Sequence, residues 1–89
     1  MKHAGAAALA ELAELLAAVR ERAALRERKP GIFYRGATAY LHFHEDGAGL
    51  FADLKVGTSF ERHCVSRRSQ QRALLRRIDE TLAVVRPRD

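Results

Sequence analysis

Cysteine occurs once, at Cys64, so no disulfide can form within the chain and nothing implies an oxidising compartment. Lysine is almost as scarce, at Lys2, Lys29 and Lys55 only, which leaves the positive charge to arginine. Long hydrophobic runs are missing as well. The stretch from Ala6 to Ala10 is interrupted by Glu11 and Glu14, and Arg20, Glu21 and Arg22 follow, so it is too short for a membrane span and reads as helix rather than signal peptide. Internal repeats, long linkers and low-complexity tracts beyond the alanine-rich start are also lacking. A cytoplasmic address without membrane association is the expectation that follows.

With 89 residues the chain has material for one domain, spanning 1–89, and one modest core. Apolar residues make up 47% and charged residues 30%, the balance of a folded globule. The net charge of +5 has two readings. Clustered arginine neutralises phosphates, and a GC-rich genome enriches any protein in alanine and arginine.

Leu9, Leu12, Leu16, Val19 and Ala23 recur at helical spacing with Leu15 and Leu25 beside them, predicting a long amphipathic helix over about 7–28 that Pro30-Gly31 ends. From Ile32 the period becomes two. Strands are expected over Ile32–Arg35, Thr38–His44, Leu50–Val56 and Phe60–Val65, with turns at Gly36-Ala37, Glu45–Gly49 and Gly57–Ser59. A two-residue loop at Gly36-Ala37 sets Ile32 opposite Leu41. Leu41, Phe43, Leu50, Ala52, Leu54 and Val56 share the core side, sending Tyr40, His42, His44, Phe51, Asp53 and Lys55 to the other side, with His42 across from Asp53. In the last strand, Phe60 and Cys64 are expected inside and Glu61 and His63 outside, a register that leaves Arg62 awkward. Ser66 or Ser69 can cap a second helix over 67–85, whose apolar positions are Leu74, Leu75, Ile78, Leu82 and Val85 and which stops near Arg86-Pro87. The expected fold is therefore α+β: a long N-terminal helix, a four-stranded antiparallel meander and a C-terminal helix, with both helices on one face of the sheet.

Pro30-Gly31-Ile32-Phe33-Tyr34-Arg35, Leu41-His42-Phe43-His44-Glu45-Asp46 and Gly49-Leu50-Phe51-Ala52-Asp53 together resemble a family of small bacterial proteins of unknown function. The resemblance spans roughly the central third of the chain. It implies a bacterial source and a compact domain, and it transfers no site residues.

The chemistry-bearing residues gather on the outer side of the sheet. His42-x-His44 with Asp53, and His63 as a fourth member, is a donor set for zinc, iron or manganese. The same residues also suit an ordinary hydrogen-bonded polar face, or a histidine acid-base pair oriented by Asp53. Phe33, Tyr40 and Phe51 beside them, with Arg35 and Lys55, offer a surface for a small ligand, for a second copy in a homodimer, or for stacked bases. Arg68, Arg72 and Arg76 form a basic stripe along the last helix, a site for weak, nonspecific nucleic-acid contact. Cys64 is expected to be a small core residue. An interaction module, self-associating through the outer sheet face, is the functional expectation, with the histidine-aspartate enzyme as the alternative.

Overall fold

Apolar alternation places the central hairpin correctly, and the rest of the fold is built outward from it. The computed structural model describes residues 1–84. In chain order the elements are β1 (Lys2–His3), α1 (Ala6–Glu11), α2 (Ala13–Arg20), β2 (Arg26–Lys29), β3 (Ile32–Arg35), β4 (Thr38–Asp46), β5 (Gly49–Val56), β6 (Ser59–Cys64) and α3 (Arg68–Ala83). Strands β2 to β6 pair antiparallel in sequence order, and β1 pairs with the far end of β4. The meander is thus present with five strands instead of four, in a sheet of six.

The first helical segment is shorter than its periodicity suggests. It breaks at Leu12, whose φ of −94° and ψ of 11° separate α1 from α2, and it ends at Arg20. Past Val19 the helical stripe lapses, since Ala23 is exposed and Leu25 packs on the core from the connecting segment. The Arg22 guanidinium donates to the Ala18 carbonyl and to both oxygens of Asp79, closing the helix and tying it to α3. Arg26–Lys29 then forms an edge strand, where its charges discourage further pairing. Pro30-Gly31 is the turn into β3, with Gly31 at φ +75° and its N–H donated to Glu27.

One extra residue re-aims the first hairpin. The Gly36-Ala37 turn pairs Arg35 with Thr38 and Tyr34 with Ala39, but Phe33 pairs with Leu41, leaving Tyr40 as a bulge in β4. The bulge turns Tyr40 to the helix side, where its hydroxyl meets the Ile78 carbonyl and Thr81 Oγ1. It also brings Phe33, in place of Ile32, opposite Leu41. Phe33 and Tyr40 are therefore core residues, 1% and 3% exposed, and not part of the outer surface. Arg35 is likewise on the helix side and donates to carbonyls of Thr81, Leu82 and Val84 at the end of α3.

The β6 register also differs from expectation. A two-residue turn at Gly57-Thr58 pairs Val56 with Ser59, Lys55 with Phe60 and Asp53 with Arg62. Phe60, Arg62 and Cys64 thus face outward, and the thiol is exposed. Glu61 and His63 point to the helix side, where Glu61 accepts from both His63 and Arg77 of α3. Helix α3 is capped at Arg67, whose N–H is received by Gln70 Oε1. Ser66 has a different partner, accepting the Leu50 N–H. The expected Val85 contact and the Arg86-Pro87 stop lie outside the described residues.

A single core holds these layers together. Leu12, Leu15, Leu16 and Val19 of the first helical segment and Leu74 and Ile78 of α3 pack on Phe33, Leu41, Phe43, Ala52 and Leu54. Both helices thus sit on one side of the sheet, and no described element crosses the other.

Candidate functional site

His42 and His44 leave the core because Leu41 and Phe43, both fully buried, claim the inner side of β4. Asp53 stands opposite His42, as alternation predicts. A third imidazole arrives from the N-terminal strand, where His3 pairs with His44. The Ala4 N–H bonded to the Phe43 carbonyl and the Gly5 N–H bonded to Glu45 Oε2 hold that strand in place. The His3 ring centroid lies 4.9 Å from that of His44 and 6.1 Å from that of His42, and the latter two are 6.1 Å apart. Phe60 covers His42 at 5.2 Å.

Asp53 is 9% exposed, and both its oxygens accept from Arg62, at 2.8 and 2.9 Å. The arginine that had no place in the expected register is thus the partner of the buried carboxylate. His44 Nδ1 lies 3.4 Å from Asp53 Oδ2, but neither of its ring nitrogens, both shielded from solvent, has a hydrogen-bond partner. Among the described residues, no group of three or more His, Cys, Asp or Glu side chains has its donors gathered for a metal ion, and these rings are stacked instead. The carboxylate is committed to Arg62 and does not orient His42 as an acid-base partner.

The Arg62 hydrogen bonds hold the Asp53 carboxyl below its usual range. Desolvation pushes both His42 and His44 below the ordinary value of 6.5. For His42 the charges of His44 and His3 add to this, whereas for His44 Asp53 pulls the other way. Such groups contribute stability that is full above the unfolded-state value and is lost as pH falls through the folded value, because the unfolded chain takes up the protons first. In chelator-treated protein the urea midpoint is therefore expected to be lower at pH 5 than at pH 7.5, with part of the difference removed in His42→Gln. Equal midpoints at the two pH values would show that the imidazoles are not desolvated.

Of the residues singled out from sequence, His42, His44, Asp53 and Phe51 share the outer face, while Phe33, Tyr40 and His63 lie on the helix side. Arg68, Arg72 and Arg76 are exposed on α3, and Arg68 is paired with Glu14 at 3.1 Å. The outer face holds other residues in their place. Strand alternation and pairing assign it Arg26, Tyr34, Lys55, Phe60 and Arg62, and Arg28 stacks over the Tyr34 ring at 4.4 Å. Lys55 likewise sits over Phe60 at 5.1 Å.

The sheet sorts its charges by side. Glu27 and Glu61 face the helices, paired with Arg20 and Arg77, whereas the outer side carries Arg26, Arg28, Lys55 and Arg62. Of its carboxylates, Asp53 holds Arg62, and Asp46 remains exposed at the rim, where it accepts the Ala48 N–H. Compared with protein-family models, curated proteins and solved structures, the chain matches none of them. Among the described residues, no helix is long and apolar enough to cross a membrane.

Proposed function

We propose that this protein is a binding module that holds single-stranded nucleic acid on the helix-free face of its sheet. The observation that carries the reading is the sorting of charge: cations and aromatic rings share one side, while Glu27 and Glu61 face the helices, Asp53 is paired with Arg62, and Asp46 lies at the rim. Tyr34 and Phe60 offer ring faces for bases, and Arg28 and Lys55, stacked on those rings, stand where a sugar-phosphate chain would pass. A face-to-face homodimer would set Arg26, Arg28 and Lys55 of one copy against the same groups of the other. The charge of the face thus favours a polyanion over a second copy. The face lacks an ordered set of base-reading groups, so binding is expected to tolerate sequence and to weaken steeply with salt.

Fluorescence anisotropy with short single-stranded oligonucleotides, in chelator, tests this. Arg28→Ala and Lys55→Ala should each lower the slope of log affinity against log salt by roughly 0.7 to 1. Tyr34→Ala should cost about 1 kcal/mol or more through lost stacking. Affinity that survives these changes but disappears in Arg72→Ala/Arg76→Ala would move the interface to α3 and overturn the reading.

A further inference from the structure

We propose that His3, His42 and His44 bind one divalent transition-metal ion, with zinc the first candidate, and that Asp53 holds His44 from behind. This goes beyond the nucleic-acid reading and does not depend on it. The donors come from two neighbouring strands: His42 and His44 at i, i+2 on β4 project to one side, and His3 on β1 stands directly across from His44. A tetrahedral ion with zinc-nitrogen bonds of about 2.1 Å sets its imidazole centroids roughly 5 Å apart. The three centroids here are separated by 4.9, 6.1 and 6.1 Å. The rings are stacked on one another, so binding requires each to rotate about its side-chain bonds until the nitrogens face one ion; His3 is exposed, and its ring contacts are with the other two imidazoles.

His44 supplies the second, independent observation. A buried imidazole with both nitrogens unpartnered is costly, and native proteins satisfy such groups with a bond, a water or an ion. Its Nδ1 faces Asp53 Oδ2 at 3.4 Å, which leaves Nε2 for the metal. A carboxylate behind a ligating histidine fixes the tautomer and raises its basicity. Three imidazoles and no carboxylate in direct contact form a nitrogen set suited to zinc more than to manganese. His63, which would have been the fourth ligand on sequence grounds, is on the other side of the sheet, bonded to Glu61.

The test is calorimetric titration of untagged, chelator-stripped protein with zinc, repeated with cobalt to read coordination geometry by absorbance. One ion per chain is expected, weakened roughly ten- to hundredfold in His3→Ala and about tenfold in Asp53→Ala. His3→Ala is the decisive variant, since the exposed position tolerates truncation without loss of fold, which circular dichroism verifies. No saturable binding, or unchanged affinity in His3→Ala, overturns the proposal. Loss of binding in Cys64→Ser with retention in His3→Ala assigns the ion to the thiol and overturns it as well. Oligonucleotide binding measured in chelator is unaffected by either result.

Discussion

Phe43→Ala is expected to bring the domain close to unfolding at ambient temperature. The ring is 1% exposed, packed edge-on against Phe33 with centroids 6.4 Å apart and planes at 75°. It stands at the middle of β4, the longest strand, with the sheet on one side and the helices above. Truncating a buried phenylalanine costs about 3–5 kcal/mol. A domain of this size has on the order of 5–10 kcal/mol in total, so the loss removes much of the margin. Phe43→Leu, which keeps most of the volume, should cost less than half as much. Urea denaturation measures both, and a loss under about 1 kcal/mol for Phe43→Ala would show that the ring is not the keystone its burial implies. Because Phe43 and Leu41 fix which side of β4 faces inward, the same truncation should also blur the separate chemical shifts of His42 and His44.

How far the sequence led is clearest residue by residue. The β4–β5 hairpin was legible because Leu50, Ala52, Leu54 and Val56 alternate along β5 and Leu41 and Phe43 along β4, so parity set His42 opposite Asp53. The first hairpin was not, because a bulge at Tyr40 adds one residue and leaves no mark in an otherwise regular pattern. In β6 a turn of two residues and a turn of three give opposite parities, and the sequence Gly57-Thr58-Ser59 permits both. Val65, fully buried, was the available signal: counting back from it puts His63 and Glu61 inside and Arg62 out. Arg26–Lys29 continued a helical stripe through a charged segment with no period of its own, where pairing with β3 outweighed propensity. Lys2–His3 is too short to show any period, so the third histidine was invisible before the backbone placed it.

Those errors share a consequence for function. The bulge and the β6 register exchanged residues between the two sides of the sheet and the two unforeseen strands added to it, and together they replaced a face of Phe33, Tyr40 and Arg35 with one of Tyr34, Phe60, Arg28 and Arg62. The outer surface became more basic and exchanged His63 for His3, while the aromatic area it lost went into the core. A proposal of self-association through a bare aromatic face accordingly gives way to one of binding a polyanion.

Arg62→Ala should destabilise the protein more than Asp53→Asn, although Arg62 is the more exposed partner. The two side chains are 52% and 12% exposed, so removing the carboxylate returns the guanidinium to water, whereas removing the guanidinium strands a carboxylate in a largely desolvated place. An unpartnered buried group of this kind costs on the order of 1–3 kcal/mol, and the lower end is expected because His44 is 3.4 Å away and can take over as counter-ion. That substitution of partners gives the prediction a pH signature. In the native protein the positive charge of Arg62 helps to depress the His44 value. Without it, desolvation and the His3 charge still hold that value down but less far, so the variant loses less stability than the native chain as pH falls between the unfolded-state and folded values. The deficit of Arg62→Ala relative to the native chain, measured in chelator, should therefore shrink as pH is lowered from 8 to 5.5, with the His44 ring titrating at higher pH by NMR. Below that range Asp53 itself titrates, and the stability its lowered value confers on the native chain is lost as pH falls through the folded value. A deficit that stays constant from pH 8 to 5.5, with His44 titrating unchanged, would show that Asp53 and His44 are not coupled across the strand pair.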